Sequence, residues 1–202
     1  MPSDLQVDNI KDGSATKTLA EYSSSAWSWG SGVPAGSILQ VKSTIVTARN
    51  SSTDYDTSGT GADCGLNVTI NPIKKTGSHF YIIVSIGLGT VTSSDSWAIV
   101  LSRDGTRILN GVDSSNRNGI FVRGIDHTGH TGTDVNHGVG AMNHGVDTSG
   151  GTAGASTTFK AGLVTQQSSS TAYINRTEGN DDVLYTYGSY TSSSITVMEI
   201  AQ

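Results

Sequence analysis

From Ile38 onward, short segments rich in β-branched residues alternate with turn signals, the pattern of an all-β chain. ILQVKSTIVTAR opens the series, with Ile38, Val41, Ile45 and Val46 as its candidates for burial. LNVTINPI sets Leu66, Val68 and Ile70 on one face against Asn67, Thr69 and Asn71 on the other, as in a sheet with one wet side. Pro72 lacks an N–H to donate and ends or edges that strand. HFYIIVSIGLGTV is the most apolar run, too short and too β-branched for a helix, and reads as a central strand. WAIVLSRDGTRILNG reads as a hairpin, with Asp104 and Gly105 between Arg103 and Thr106, where a tight turn needs positive φ. GIFVRG, TTFKAGLVTQQ, TAYINRT and SITVMEIA supply four more strands, for roughly eight in all at sandwich spacing, and a jelly roll is the expected architecture.

Two stretches break the pattern. Residues 1–37 hold one weak apolar series, Leu5, Val7, Ile10 and Leu19, then the Ser-rich, aromatic EYSSSAWSWGSGVPAGS. They read as an extended arm and linker, set apart from a head over 38–202, with Trp27 and Trp29 expected to pin the linker to the head or to a neighbouring chain. Residues 125–155 have too much glycine and too little β-branched periodicity for a strand, and are expected to form a long loop projecting from the head.

Composition narrows the function. Ser (29), Thr (25) and Gly (25) dominate while only 35% of residues are hydrophobic, so one chain has a thin apolar core, and part of its apolar surface is expected to close against copies of itself. A homotrimer is the expected state, with Phe80, Ile82, Val84, Ile195, Val197 and Met198 buried around its threefold axis. A net charge of -5, with no basic run longer than Lys74–Lys75, argues against a nucleic-acid partner. No stretch approaches the ~20 apolar residues of a membrane span. The lone Cys64 has neither a disulfide partner nor zinc-ligand spacing. The N-terminus shows no basic start followed by an apolar run, so synthesis in the cytoplasm is expected.

Chemistry is sparse. No G-x-S-x-G elbow, P-loop, G-x-G-x-x-G fingerprint or H-E-x-x-H motif is present, so neither an enzyme nor a cofactor is expected. Four of the five histidines, His127, His130, His137 and His144, fall in the long loop with Asp126, Asp134 and Asp147, and the phrase NHGV recurs there at Asn136–Val139 and Asn143–Val146. Imidazoles and carboxylates suit transition metals, and a threefold axis would present each three times. No spacing matches a ligand signature, however, so the stronger reading is an exposed contact loop that tolerates histidine. Glu178, Asp181 and Asp182 lack the EF-hand order and read as a solvated turn.

SRDGTRI, AGLVTQQSSSTAYINRTEGNDD and SSSITVMEIAQ together resemble the fibre-like virion structural proteins of marine bacteriophages, the cyanophage type. In that group a Y-I-N-R segment precedes an acidic turn and a Ser-rich strand closes the chain, as at Tyr173 to Arg176 and Ser193 to Ala201. DLQVDNIKDGSATKTLA and VPAGSILQV also look like openings of such proteins. The resemblance implies a trimeric jelly-roll head of the tumour-necrosis-factor or complement-globular kind carried on the virion. It implies docking on other virion proteins through the N-terminal arm, and host adsorption through the head to a cell-surface glycan or protein. The His/Gly insertion and the near absence of a shaft depart from the group's pattern. They keep two further readings open, a capsid decoration or cement protein and a glycan-binding or glycan-hydrolysing head.

Overall fold

The computed structural model describes residues 9–11, 18–23, 26–29, 32–52, 59–90, 96–111, 120–125, 138–165, 171–175 and 192–202. Within these the chain is all strand and turn, in three antiparallel sheets. The first is a meander of β1 (Asn9–Lys11), β2 (Thr18–Ser23) and β3 (Ala26–Trp29), whose register sets Tyr22 opposite Trp27 and Ala20 opposite Trp29. The arm expected to be extended therefore contains a small sheet. Ile10 lies on β1 opposite Ala20, and Leu19 falls at the register shift of β2, while Leu5 and Val7 lie outside the described residues.

The other two sheets form a sandwich. One orders β4 (Ile38–Val46), β14 (Ser193–Ile200), β7 (His79–Thr90), β13 (Ala172–Ile174) and β5 (Asn50–Ser52), with β11 (Gly138–Asp147) on the far edge of β7. β14 and β13 pair successive halves of β7, and β13 also pairs β5, so β4 with β5, and β13 with β14, each act as one interrupted strand. The second orders β10 (Val122–Ile125), β8 (Ser96–Arg103), β12 (Thr157–Thr165) and β6 (Ala62–Ile70), with β9 (Thr106–Arg107) returning along β8. Four antiparallel pairs generate this order: β4 with β14, β6 with β12, β7 with β11 and β8 with β10.

Alternation decides the core. Leu66, Ile70, Phe80, Ile82, Val84, Ile99, Leu101, Phe159, Ile174, Ile195 and Val197 all point between the sheets and are fully buried. Phe80 and Phe159, one from each sheet, meet with centroids 5.1 Å apart. This corrects the expectation that Phe80, Ile82, Val84, Ile195 and Val197 line a threefold axis. Each is 0% exposed inside a single chain and has no surface to offer a second copy. Met198, the sixth of that set, alternates to the outer face, as do Ile38 (57% exposed), Val41 (50%) and Ile45 (68%), which had been candidates for burial. β4 instead buries Leu39, which joins Val33 and Ala201 in a small cluster. Backbone bonds from Gly36 N–H to Ala201 O (2.8 Å) and Ala201 N–H to Ser37 O (2.9 Å) complete that corner, so the head begins before Ile38.

The expected loop over 125–155 is corrected in two places. Gly138–Asp147 is a ten-residue strand paired without interruption to β7. Its glycines carry no β-propensity of their own. A long apolar partner supplies the ladder, and at Gly145 a side chain would crowd Leu109, since a Cβ there would stand 2.9 Å from Leu109 Cδ1. Residues after Asp147 then fold back on the β6–β7 turn instead of projecting: Gly77 N–H donates to Gly151 O (2.7 Å) and Ile73 N–H to Ala155 O (2.8 Å).

Polar side chains hold the turns. The Asp104–Gly105 turn has φ of 49° and 81°, as the hairpin reading requires, and Asp104 accepts from Thr157 Oγ1 (2.7 Å) and Thr158 N–H (2.8 Å). Arg103 lies over Phe80 and Phe159, 4.9 and 5.8 Å from their centroids, and donates to Asp147 (2.9 Å), Ser149 (2.7 Å) and Thr157 (2.9 Å). Asn175, in the left-handed region at φ 60°, donates to Val46 O (2.8 Å) and Ala48 O (3.0 Å) and accepts from Ser193 Oγ (2.6 Å), tying three strands. Glu199, fully buried, accepts from the backbone amides of Lys74 and Lys75, from Ser78 Oγ (2.7 Å) and from Gln40 Nε2 (2.5 Å). Removing that acceptor strands several buried donors at once, so Glu199→Ala is expected to cost about 3 kcal/mol, read from the midpoint of urea unfolding.

Candidate functional site

The sandwich treats its two outer faces differently. On the β6–β12–β8–β10 sheet, the outward residues Ala98, Val100 and Val164 form a second small cluster, with Ile120 packed against it. The chain also lies tightly on this face further along. A Cβ at Gly162 would fall 1.9 Å from Thr60 O, Lys160 Nζ donates to Gly61 O (2.9 Å) and Arg107 Nε to Gly59 O (2.5 Å). Glycine at 162 is what permits the approach. At the neighbouring edge the Gly65 amide, with the Asn67 side chain, holds the Asp63 carboxyl below the usual carboxylate range.

The β4–β14–β7–β11 sheet keeps an open face. Its register lays down rows across the four strands: Val41–Met198–Tyr81–Val146, then Ser43–Thr196–Ile83–His144, then Ile45–Ser194–Ser85–Met142, with Ile38, Ile200 and His79 at one end. Not one of these positions holds Asp, Glu, Lys or Arg. Met142 is 70% exposed, Ile45 68% and Val146 41%. Hydroxyls fill the centre, where Ser43 and Thr196 bond at 2.7 Å, and the Tyr81 and His144 rings stand 5.5 Å apart near the β11 edge. Isolated exposed aliphatics are ordinary, whereas a face that lacks Asp, Glu, Lys and Arg and keeps exposed aliphatics on either side of a row of hydroxyls has the composition of a contact surface. Chemically such a face can exclude water against a complementary surface. It offers no nucleophile paired with a base.

The histidine expectations divide. His144 alone lies among the described residues, on β11 with its ring outward against Tyr81, while Asp126, His127, His130, Asp134 and His137 lie outside them. The second NHGV phrase is thus strand: Asn143 turns inward and donates to Phe121 O (2.6 Å), linking the sheets along that edge, and His144 turns outward. Among the described residues no group of three or more His, Cys, Asp or Glu could hold a metal ion. Glu178, Asp181 and Asp182 fall outside them too. Sequence reasoning missed the open face because it assigned apolar β-strand residues inward. The available signal was the double alternation of HFYIIVSI, apolar on both faces, which a half-solvated strand does not need.

No family model matches the chain, and no curated protein matches it. Among solved structures, a dimeric latent PorU from Porphyromonas gingivalis is similar at 11% identity and a TM-score of 0.33, over 85% of this chain and 14% of that one. A structure of infectious bursal disease virus, Gx strain, is similar at 15% identity and a TM-score of 0.24, over 82% of this chain and 43% of the viral one. The Gt strain gives 14% identity and a TM-score of 0.19, over 82% and 41%. The chain thus spans less than half the length of each, and likenesses this distant carry no argument about function.

Two measurements check the assignment of inside and outside. Val84→Ala is expected to cost about 2 to 4 kcal/mol and, in the unassembled chain, Ile45→Ser less than about 0.5 kcal/mol, by urea unfolding. Burial pushes the Cys64 thiol up, and it donates to Ala161 O (3.3 Å), so it is expected to resist a thiol-reactive dye in the native protein and to label fully on unfolding.

Proposed function

We propose that this chain is a non-enzymatic structural protein of a bacteriophage particle, a jelly-roll head that closes as a homotrimer. The open, charge-free face of the β4–β14–β7–β11 sheet is the observation that carries the reading. Depletion of charge with aliphatic and aromatic residues retained is the signature of the buried centre of a subunit contact. A chain with 35% hydrophobic residues that nevertheless leaves Val41, Ile45, Met142 and Val146 in water has a use for them outside its own core.

The jelly-roll part rests on strand order. With β4/β5 and β13/β14 each counted once and the two-residue β9 set aside, the described residues form eight sandwich strands, of which the first pairs the eighth, the second the seventh, the third the sixth and the fourth the fifth. That is a single antiparallel ribbon folded into two sheets. The virion part rests on the resemblance of SRDGTRI, YINR and SSITVMEIA to marine bacteriophage fibre proteins. In this reading the N-terminal segment docks on other virion proteins and the head faces the host surface in adsorption.

Light scattering after size exclusion tests the assembly. The expected mass is three times that of the 20.9 kDa chain, and Met142→Glu together with Val41→Glu is expected to give a monomer with an unchanged far-UV spectrum. A folded wild-type chain that runs as a monomer at micromolar concentration overturns the reading.

A further inference from the structure

Beyond β9 the chain runs through Ile108, Leu109, Asn110 and Gly111, and a side chain there does the work of a strand ladder. Ile108 N–H donates to Leu101 O (2.9 Å). The Asn110 carboxamide clips the same residue, accepting from Leu101 N–H (3.2 Å) and donating to Leu101 O (3.0 Å). Gly111 N–H closes the segment on Ile120 O (3.1 Å). Between them Leu109 sits at φ 54°, a left-handed conformation that leucine rarely adopts, with its side chain over Gly145 of β11. Asn110 is half-buried and Gly111 exposed, so water reaches the pair.

Asparagine followed by glycine is the pair in which a backbone amide most readily attacks the side-chain amide before it, because glycine puts no side chain in the path of ring closure. The chain has two such pairs, Asn110–Gly111 and Asn118–Gly119, and the second lies outside the described residues. At the first, the fold does not ask for glycine. Gly111 is not in the left-handed region, and a Cβ there would stand 3.9 Å from Ile120 O, an ordinary contact. The fold uses the carboxamide of Asn110, while the glycine beside it serves neither turn nor packing and leaves the path of attack open.

We propose that Asn110 is a covalent modification site, deamidated through Gly111 and timed by the opening of the Leu101 clip. The Gly111 nitrogen gives up its proton and bonds Asn110 Cγ, the Cγ–Nδ2 bond breaks, and the nitrogen leaves as ammonia. Water then opens the five-membered imide. Breaking its bond to Cγ yields aspartate, and breaking its bond to the main-chain carbonyl yields isoaspartate. One water is consumed, one ammonia is released and no electron changes hands. While the clip is closed both reacting groups are engaged, the carboxamide by Leu101 and the Gly111 N–H by Ile120 O, which opposes loss of the proton. Reaction therefore waits on local opening of the segment. It also runs one way. Ionised aspartate only accepts, so it sets a lone pair against Leu101 O where Nδ2 had donated, and isoaspartate lengthens the backbone ahead of Gly111. Either product loosens the segment that holds Leu109 over Gly145.

Peptide mapping by mass spectrometry follows residue 110 in the full chain, incubated at mildly alkaline pH both folded and in urea. In urea Asn110 and Asn118 are expected to convert at similar rates, the second calibrating the first. In the folded chain Asn110 is expected to convert roughly tenfold more slowly, and to speed up at urea concentrations below the global midpoint, as a local opening does. Gly111→Ala is expected to keep the wild-type Tm and to slow conversion sharply. Asn110→Asp, which carries the product's carboxylate, is expected to lower the Tm by several degrees. Equal rates in the folded and unfolded chains overturn the proposal, and so does conversion that tracks global unfolding alone. An Asn110→Asp chain as stable as wild type overturns it too. If that variant does not fold, wild-type protein aged to partial conversion and separated by charge gives the same comparison.

Discussion

Phe80 against Phe159, with the Arg103 guanidinium laid over both rings, is the contact on which the rest of the structure depends. It joins the two sheets by one aromatic from each. It also places a cation where its charge is met by ring faces and by Asp147, which is itself buried at the end of β11. Fixing Phe80 inward fixes the phase of β7. Ile82, Val84 and Ile86 must follow it into the core, and Tyr81, Ile83 and Ser85 must point away. β14 and β11 pair β7 residue for residue, so the same contact sets which of their side chains face out. The open face is thus a consequence of core packing, and its composition is what the sequence chose to put on the remaining phase.

That choice differs between the sheets. Where apolar residues face outward on β8 and β12, the chain covers them itself, with Ile120 over Ala98, Val100 and Val164, and it lays Thr60 and Gly61 on Gly162 beside them at the cost of a residue without a side chain. Nothing comparable lies on the outer face of β4, β14, β7 and β11 among the described residues, although Met142 and Ile45 are more exposed than any residue of the covered cluster. One sheet solves its outer apolar surface within the chain. The other is suited to solving it between chains.

Much of the fold was legible. The all-β class, the two-sheet sandwich, the Asp104–Gly105 hairpin and the alternation of Leu66, Val68 and Ile70 follow from period and turn chemistry, which are local properties. β11 was not legible, because Gly138–Asp147 carries the letters of a loop and becomes a strand only through the ladder that β7 offers, a non-local fact. The phase of β4 failed for a related reason. ILQVKSTIV has apolar residues on both parities, and the register shift opposite Glu199 and Ile200 decides that Leu39 goes in and Ile38, Val41 and Ile45 go out. Five of the six candidate contact residues failed on the same point: Phe80, Ile82, Val84, Ile195 and Val197 fill the core of one chain, and only Met198 belongs to the alternate set that has free surface.

The segments that carry the bacteriophage resemblance show what a likeness of this kind can bear. In SRDGTRI, Arg103 and Asp104 anchor the core cation and the hairpin turn. In YINR, Asn175 ties the ends of β4, β7 and β14. In SSITVMEIA, Ser193 completes that knot and Glu199 gathers the β6–β7 turn. Asn175, Ser193 and Glu199 are fully buried and Arg103 nearly so, while Asp104 keeps its carboxylate exposed, and an apolar residue in any of these places would strand hydrogen-bonding partners. Letters held for such reasons speak to architecture, and within the proposal they bear on the sandwich alone.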